Sequence, residues 1–252
     1  MAILEVYSLT KRFGGLTAVS DLSFSLDESE IVGLIGPNGA GKTTVFNMIA
    51  GFYRPDSGRV VFQGEDLTGL RPYEICRRGI ARTFQVTKPF LDSSVLDNVM
   101  VGGFLQARTA ADARDIAWKA LETLEFSNRA DAMGHEINVP DRKRLELARA
   151  LATGAKLLLL DEPMAGLTPS EKGHIIDLLR KINEEGFTLV VVEHDMKVVM
   201  SLCPRIILMD RAMKLVEGTP EEVCSDPKAI TAYLGEEYAA RDISRGDEDG
   251  TA

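Results

Sequence analysis

The chain has 252 residues, 45% of them hydrophobic and 27% charged, with a formal charge of −9. That is enough apolar material for one large domain or two small ones around a sizeable core, and the negative balance speaks against broad electrostatic binding to nucleic acid. No apolar run approaches the roughly 18 residues that span a bilayer, and Glu5 interrupts the short apolar start, so a secretory leader is not expected.

Taken in chain order, "ILEVYSL" (3–9) and "AVSDLSFSL" (18–26) alternate as strands do. "EIVGLIG" (30–36) is a continuous apolar run stopped by Gly-Pro, as expected of a buried strand. After a glycine-rich turn, "TTVFNMIAG" reads as a helix closed by Gly51. "GRVVFQG" (58–64) is a further strand, and "GIARTFQ" (79–85) a strand running into a loop. From about 94 to 153 the pattern turns helical. In its last segment, "DRKRLELARALAT", Leu145, Ala148, Leu151 and Ala152 share one face. Strands return at "KLLLL" (156–160), "FTLVVVE" (187–193), "RIILMD" (205–210) and "KLVEG" (214–218), with helices at about 169–184 and 195–203 between them. Alternating strands and helices imply a largely parallel sheet covered on both faces. The strandless block at about 87–153 reads as a helical subdomain inserted in that α/β core, and the acidic residues 236–252 as a mobile tail. Cys76, Cys203 and Cys224 are scattered, without metal-ligand spacing, and are expected to be reduced cytosolic thiols. Trp118 and His135 carry no functional signal.

"GPNGAGKT" (36–43) fits G-x-x-x-x-G-K-[ST], between a buried strand and a helix. Glycines let backbone N–H groups turn inward around an anion, and the helix adds its positive end. Gly36, Asn38, Gly39, Ala40, Gly41, Lys42, Thr43 and Thr44 are therefore the expected nucleotide-binding residues. Lys42 would meet the β- and γ-phosphates, and the Thr43 hydroxyl would hold Mg²⁺. "LLLLDE" (157–162) brings two acids to the carboxyl edge of the sheet, where α/β folds bind ligands. Asp161 is expected to hold Mg²⁺ through water, and Glu162 to stand near the attacking water.

Over roughly residues 3–235 the chain resembles the ATP-binding subunits of ABC transporters. That resemblance implies a P-loop NTPase (RecA-like) core with an antiparallel β subdomain and an inserted helical subdomain, the ATP-binding domain filling residues 1–235. Gln85 in "RTFQ" stands where the family's loop glutamine touches Mg²⁺ and water. His194 in "VVEHD" matches the histidine that contacts the γ-phosphate. Phe13 in "KRFGG" matches the aromatic that stacks on adenine. Lys42, Gln85, Glu162 and His194 are thus the implied catalytic set, and Thr43, Gln85 and Asp161 the implied metal set. "LTKRFGGLTAVSDLSF", "NVMVG" and "YLGEEY" look like the subgroup serving importers of branched-chain amino acids and related amides; the ATPases of lipopolysaccharide exporters end similarly. A soluble ATPase of translation or repair is disfavoured, because those carry tandem units or coiled-coil insertions. A module that clamps ATP without turnover is disfavoured by Glu162 and His194. The resemblance implies ATP and Mg²⁺, permease partners, a second ATPase chain, an indirect link to a substrate-binding protein, and a place on the cytoplasmic face of the inner membrane.

Two stretches depart from the family pattern. Its L-S-G-G-Q signature, which caps the ATP held by the opposed chain, falls here on Ile137, Asn138, Val139, Pro140 and Asp141. Pro140 has no N–H to donate, Asp141 brings negative charge towards a triphosphate, and Asn138 retains a side-chain amide. Arg142, Lys143 and Arg144 would either compensate electrostatically or form a solvated basic face behind an Asp141 N-cap. After "DEP", S-A-L-D is replaced by "AGLT" (165–168), leaving Gly166 and Thr168 at the expected dimer interface. The segment from 86 to 99, "VTKPFLDSSVLDNV", is either the route to the membrane subunits or a connector with a serine N-cap. Since the elements serving this chain's own ATP look whole, an asymmetric heterodimer is expected.

Overall fold

The structure is a computed structural model that describes residues 2–83 and 88–234. Gln85 and the acidic tail therefore lie outside the described residues. Two sheets organise the chain. In the first, β1 (Ala2–Phe13) pairs antiparallel with β2 (Leu16–Asp27) and with β4 (Ser57–Phe62), which pairs in turn with the short β5 (Glu65–Asp66). The second has the order β10-β9-β3-β8-β7-β6, made from β3 (Ile31–Ile35), β6 (Ile80–Arg82), β7 (Leu157–Asp161), β8 (Thr188–Val192), β9 (Arg205–Asp210) and β10 (Met213–Gly218). All its pairings are parallel except β10 on β9. β3, β7 and β8 are buried at every residue, which is why they read as unbroken apolar runs rather than alternating ones.

Successive side chains of a strand point to opposite faces, and the two cores follow that period. Val32, Leu34, Leu157, Leu159, Val190 and Val192 join α1 (Lys42–Ile49) and the antiparallel sheet in one cluster. Ile31, Ile35, Leu158, Leu160, Leu189 and Val191 join the other, which contains the helices from the strandless stretch. Those are α3 (Val95–Gly103), α4 (Ala110–Thr123) and α5 (Val139–Ala152); a short α2 (Pro72–Arg77) precedes β6. α6 (Pro169–Glu184) and α7 (Met196–Leu202) cover the same face, and α8 (Pro220–Ser225) and α9 (Pro227–Leu234) end the described chain. Leu145, Ala148, Leu151 and Ala152 of α5 are all buried, as their shared face requires.

Several helix starts are set by local chemistry. Ser94 caps α3, accepting from the Asp97 N–H at 3.0 Å, so the serine-cap reading of that connector holds. Thr168, one of the departures from the family pattern, caps α6 in a reciprocal box with Glu171 behind Pro169. The α5 start corrects the sequence reading. Its cap is Asn138, whose Oδ1 accepts from the Asp141 N–H at 2.9 Å; Asp141 is not the cap. The helix begins two residues earlier than expected because Pro140 sits in its first turn, where a missing N–H costs nothing. β6 (Ile80–Arg82) is the strand expected at the start of 79–85.

Candidate functional site

β3 delivers the glycine-rich turn. Gly36 has φ +145°, and an added Cβ would stand 2.0 Å from the Met209 carbonyl oxygen; Gly41 has φ +106°, with Ala18 O at 2.3 Å. Both positions thus need glycine for conformation and for space. Asn38, Gly39 and Thr43 are exposed, Thr44 is half-buried and Ala40 is buried. Lys42 opens α1 and is buried, its Nζ donating to Gly36 O at 2.7 Å and Pro37 O at 3.0 Å. Burial pulls its ammonium below the ordinary lysine value, while the Glu162 and Asp161 carboxylates oppose the shift. The lysine is therefore folded back on its own loop.

β7 delivers the acids. Asp161 is buried, and its N–H donates to Thr83 Oγ1 at 3.1 Å. Glu162 follows in a left-handed conformation, φ +50°, its N–H bonded to Val192 O at 2.9 Å. A non-glycine residue held there stores strain, and such strain collects at functional sites. β8 brings its own end beside it, so that His194 Nε2 lies 2.8 Å from Glu162 Oε1. Asp195 caps α7 and pairs with Lys172 of α6 at 2.6 Å, which anchors the backbone just past His194. Phe13 ends β1, 43% exposed, edge-on to Tyr53 with ring centroids 5.2 Å apart.

Three residues join this region in positions that the sequence did not foretell. Lys143 is buried, not part of a solvated basic face. Its Nζ donates to the Glu162 carbonyl oxygen at 3.1 Å, where the Ala165 N–H also arrives at 3.2 Å. Arg82, ending β6, donates from Nη2 to Asp161 Oδ2 at 2.9 Å. Glu193 is buried and accepts from the Met164 N–H at 2.9 Å and the His194 N–H at 3.3 Å. Burial, above all, pushes the Glu193 carboxyl above the ordinary 4.5, and the Glu162 carboxylate adds to the shift. A carboxyl raised on folding contributes stability that is complete below 4.5 and lost as pH rises through its folded value. Urea unfolding across that range should show wild type losing ground to Glu193→Gln as pH rises. A difference independent of pH would refute this.

A cleft of about 840 Å³ opens from Thr43 and Asp161 between β6 and the helices α3 and α5, reaching Val101, Leu105 and Arg149. The signature segment lies elsewhere, at the α5 start. There Val139 is 49% exposed, Asp141 faces Arg129 at 3.6 Å, and Arg142 Nε donates to Ile137 O at 3.2 Å. The structure thus brings Lys42, Thr43, Asp161, Glu162 and His194 to one edge of the parallel sheet, with Asn138–Asp141 at a helix start outside it.

The family model for ABC transporters matches residues 19–165 of the sequence. This chain belongs to the ABC transporter family. ATP hydrolysis coupled to transport goes with that membership. A second family model, for branched-chain amino acid ATP-binding cassette transporters, matches residues 213–239. The chain is 40% identical over 250 residues to the high-affinity branched-chain amino acid transport ATP-binding protein LivG of Salmonella typhimurium, covering 93% of this chain and 98% of that one. Among solved structures it resembles the ADP conformation of MJ1267, an ATP-binding cassette of an ABC transporter. That match has a TM-score of 0.85 and 31% identity, over 94% of this chain and 100% of the other. It also resembles a dimeric post-hydrolysis state of the cassette MJ0796 bound to ADP and phosphate, with a TM-score of 0.77 and 26% identity over 86% and 98% of the two chains. In this ABC ATPase no described helix is long and apolar enough to cross a membrane.

Proposed function

We propose that this ABC ATPase powers import of branched-chain amino acids or a related small amide, as one half of an asymmetric ATPase pair on the cytoplasmic face of the inner membrane. The observation that carries the catalytic part is the Glu162–His194 contact of 2.8 Å at the sheet edge where Lys42 and Asp161 also emerge. The substrate class rests on the likeness to LivG and on the match of residues 213–239.

In this reading the loop Gly36–Thr44 wraps the phosphates of ATP and Phe13 stacks on its adenine. Lys42 leaves its two carbonyl partners for the β- and γ-phosphate oxygens, whose negative charge offsets the desolvation that disfavours its ammonium. Thr43 and Asp161 supply a hydroxyl and a carboxylate, hard oxygens that suit Mg²⁺, which takes one or two protein ligands and completes its shell with phosphate and water. Gln85, outside the described residues, would be a further ligand. A Mg²⁺ ion held by these residues would supply positive charge against the charge that develops on the phosphates. Glu162 takes the proton of the attacking water as oxygen meets the γ-phosphorus in line with the departing ADP. The left-handed turn at Glu162 and the Lys143 bond on its carbonyl fix where that carboxylate stands. His194 donates to the transferring group.

The helices of 87–153 form a lobe whose α5 start meets the other chain's ATP. Pro140 and Asp141 leave that contact poor in donors. A sister ATPase with a better signature would cap the ATP held here, making one strong site and one weak one. The cleft beside Arg149 and Leu105 is where the permease subunits would feel the lobe move. The reading is tested by reconstituting the chain with its genomically neighbouring ATPase, permeases and binding protein in vesicles. ATP-dependent uptake of labelled leucine, with urea and short amides as competitors, is expected. ATP-driven movement in the opposite direction would overturn import, and equal turnover by the chain alone and by the pair would overturn the asymmetry.

A further inference from the structure

Arg82 has no part in the roles assigned above, yet it touches the metal-binding carboxylate. It ends β6, and its side chain is 9% exposed; that of its partner Asp161 is 5% exposed. Nη2 reaches Asp161 Oδ2 at 2.9 Å and Nη1 donates to Asn47 Oδ1 of α1. The guanidinium stands 5.9 Å from the ring of Phe46 and 5.6 Å from that of Phe52, so cation–π contacts hold it from the side. Arg82, Asp161 and Thr43 all line the same cleft.

A buried carboxylate without a counter-charge is costly, whereas a paired one with its remaining bonds satisfied is tolerated. Asp161 is buried at the base of the cleft and has to wait between turnovers with no metal on it. A planar guanidinium reaching in from the neighbouring strand answers that need: it balances the charge and fixes the carboxylate through one oxygen. The same cation must weaken the attraction of Asp161 for any second cation, because like charges a few ångströms apart in a poorly screened interior repel strongly.

Resting on the reading that Asp161 holds Mg²⁺, we infer that Arg82 is a positioning residue that acts as a placeholder cation. It occupies Asp161 while nucleotide is absent, and so makes metal binding at that carboxylate depend on the phosphates arriving with it. The free chain would then ignore Mg²⁺, and only the Mg²⁺–ATP pair would enter. Asn47 and the two phenylalanines keep the guanidinium in place during the exchange, so the site can be reset after products leave.

The test uses the full chain without nucleotide. Thermal unfolding of wild type is expected to be indifferent to millimolar Mg²⁺. Arg82→Met should lower the midpoint and acquire a Mg²⁺-dependent recovery. Adding Asp161→Asn to it should abolish that Mg²⁺ response and restore part of the lost midpoint, since both partners of the buried pair are then gone. In binding of a fluorescent ATP analogue, Arg82→Met should lower the Mg²⁺ concentration for half-saturation by at least about tenfold. If Arg82→Met does not fold, Arg82→Gln carries the same test, its neutral amide removing the charge while keeping a hydrogen-bond donor near Asp161. A lowered midpoint with no Mg²⁺ response, or a raised Mg²⁺ requirement, overturns the placeholder role and leaves Arg82 a structural partner only. The underlying reading fails separately: Asp161→Asn alone would then leave the Mg²⁺ dependence of ATP binding unchanged.

Discussion

Replacing Glu162 by glutamine is expected to slow phosphate release by about 10²- to 10⁴-fold, the usual contribution of a positioned general base. The substitution is nearly isosteric, and the left-handed backbone is held by bonds that do not involve the carboxylate: the N–H to Val192 O, and the carbonyl to Lys143 and Ala165. Folding and ATP affinity should therefore survive, and the loss should fall on kcat with little change in KM. ATP would then accumulate uncut between two chains, so a longer-lived dimer should appear by size-exclusion chromatography in ATP. Turnover within a factor of two of wild type would show that Glu162 is not the base.

The second large effect is a gain. Asn138→Ser, Val139→Gly, Pro140→Gly and Asp141→Gln together rebuild the family signature, and phosphate release by the chain alone should rise. Each hydrogen bond regained to a charged phosphate contributes about 1.5–3 kcal/mol, or roughly 10- to 150-fold. The cost to the fold is small. Serine caps a helix about as well as Asn138 does, and the Arg129–Asp141 pair given up is long, at 3.6 Å, with Arg129 42% exposed. Paired with the sister ATPase, the same variant should speed only the sister's site, which Lys42→Ala in this chain would leave visible by itself. An unchanged rate in the self-paired chain would mean that the signature is not what limits it.

How legible the site was depended on how far apart its members are in the chain. The phosphate loop could be read because glycine spacing, the buried run before it and the helix after it are contiguous. The acids could be read because an apolar run of strand length ends in them. The α5 start could not be read correctly from Asp141, because Pro140 leaves both Asn138 and Asp141 as candidate caps; the Asn138 bond to the Asp141 N–H decides it. The small helix α8 was missed although Thr219, Pro220 and Glu222 spell a capping box. Its six residues are too few to show a period. For Lys143 the sequence leaves electrostatic compensation and a solvated basic face both open, because its neighbours Arg142 and Arg144 are charged too; only packing turned that one ammonium inward.

The sequence by itself determined the class of the fold, the glycine-rich turn, the pair of acids at a strand end and the likeness to ABC ATPases. All of these are written in runs of a few to a dozen residues, where side-chain period, glycine conformation and local hydrogen bonding suffice. Tertiary structure alone decided that Arg82 would meet Asp161 across 79 positions, that His194 would meet Glu162 across 32, and that Lys143 would support the Glu162 carbonyl across 19. Those contacts depend on strand order and register, with β6 beside β7 and β8 on its other side. Strand order follows from which apolar faces can be buried together, a property of the whole chain that no single stretch carries.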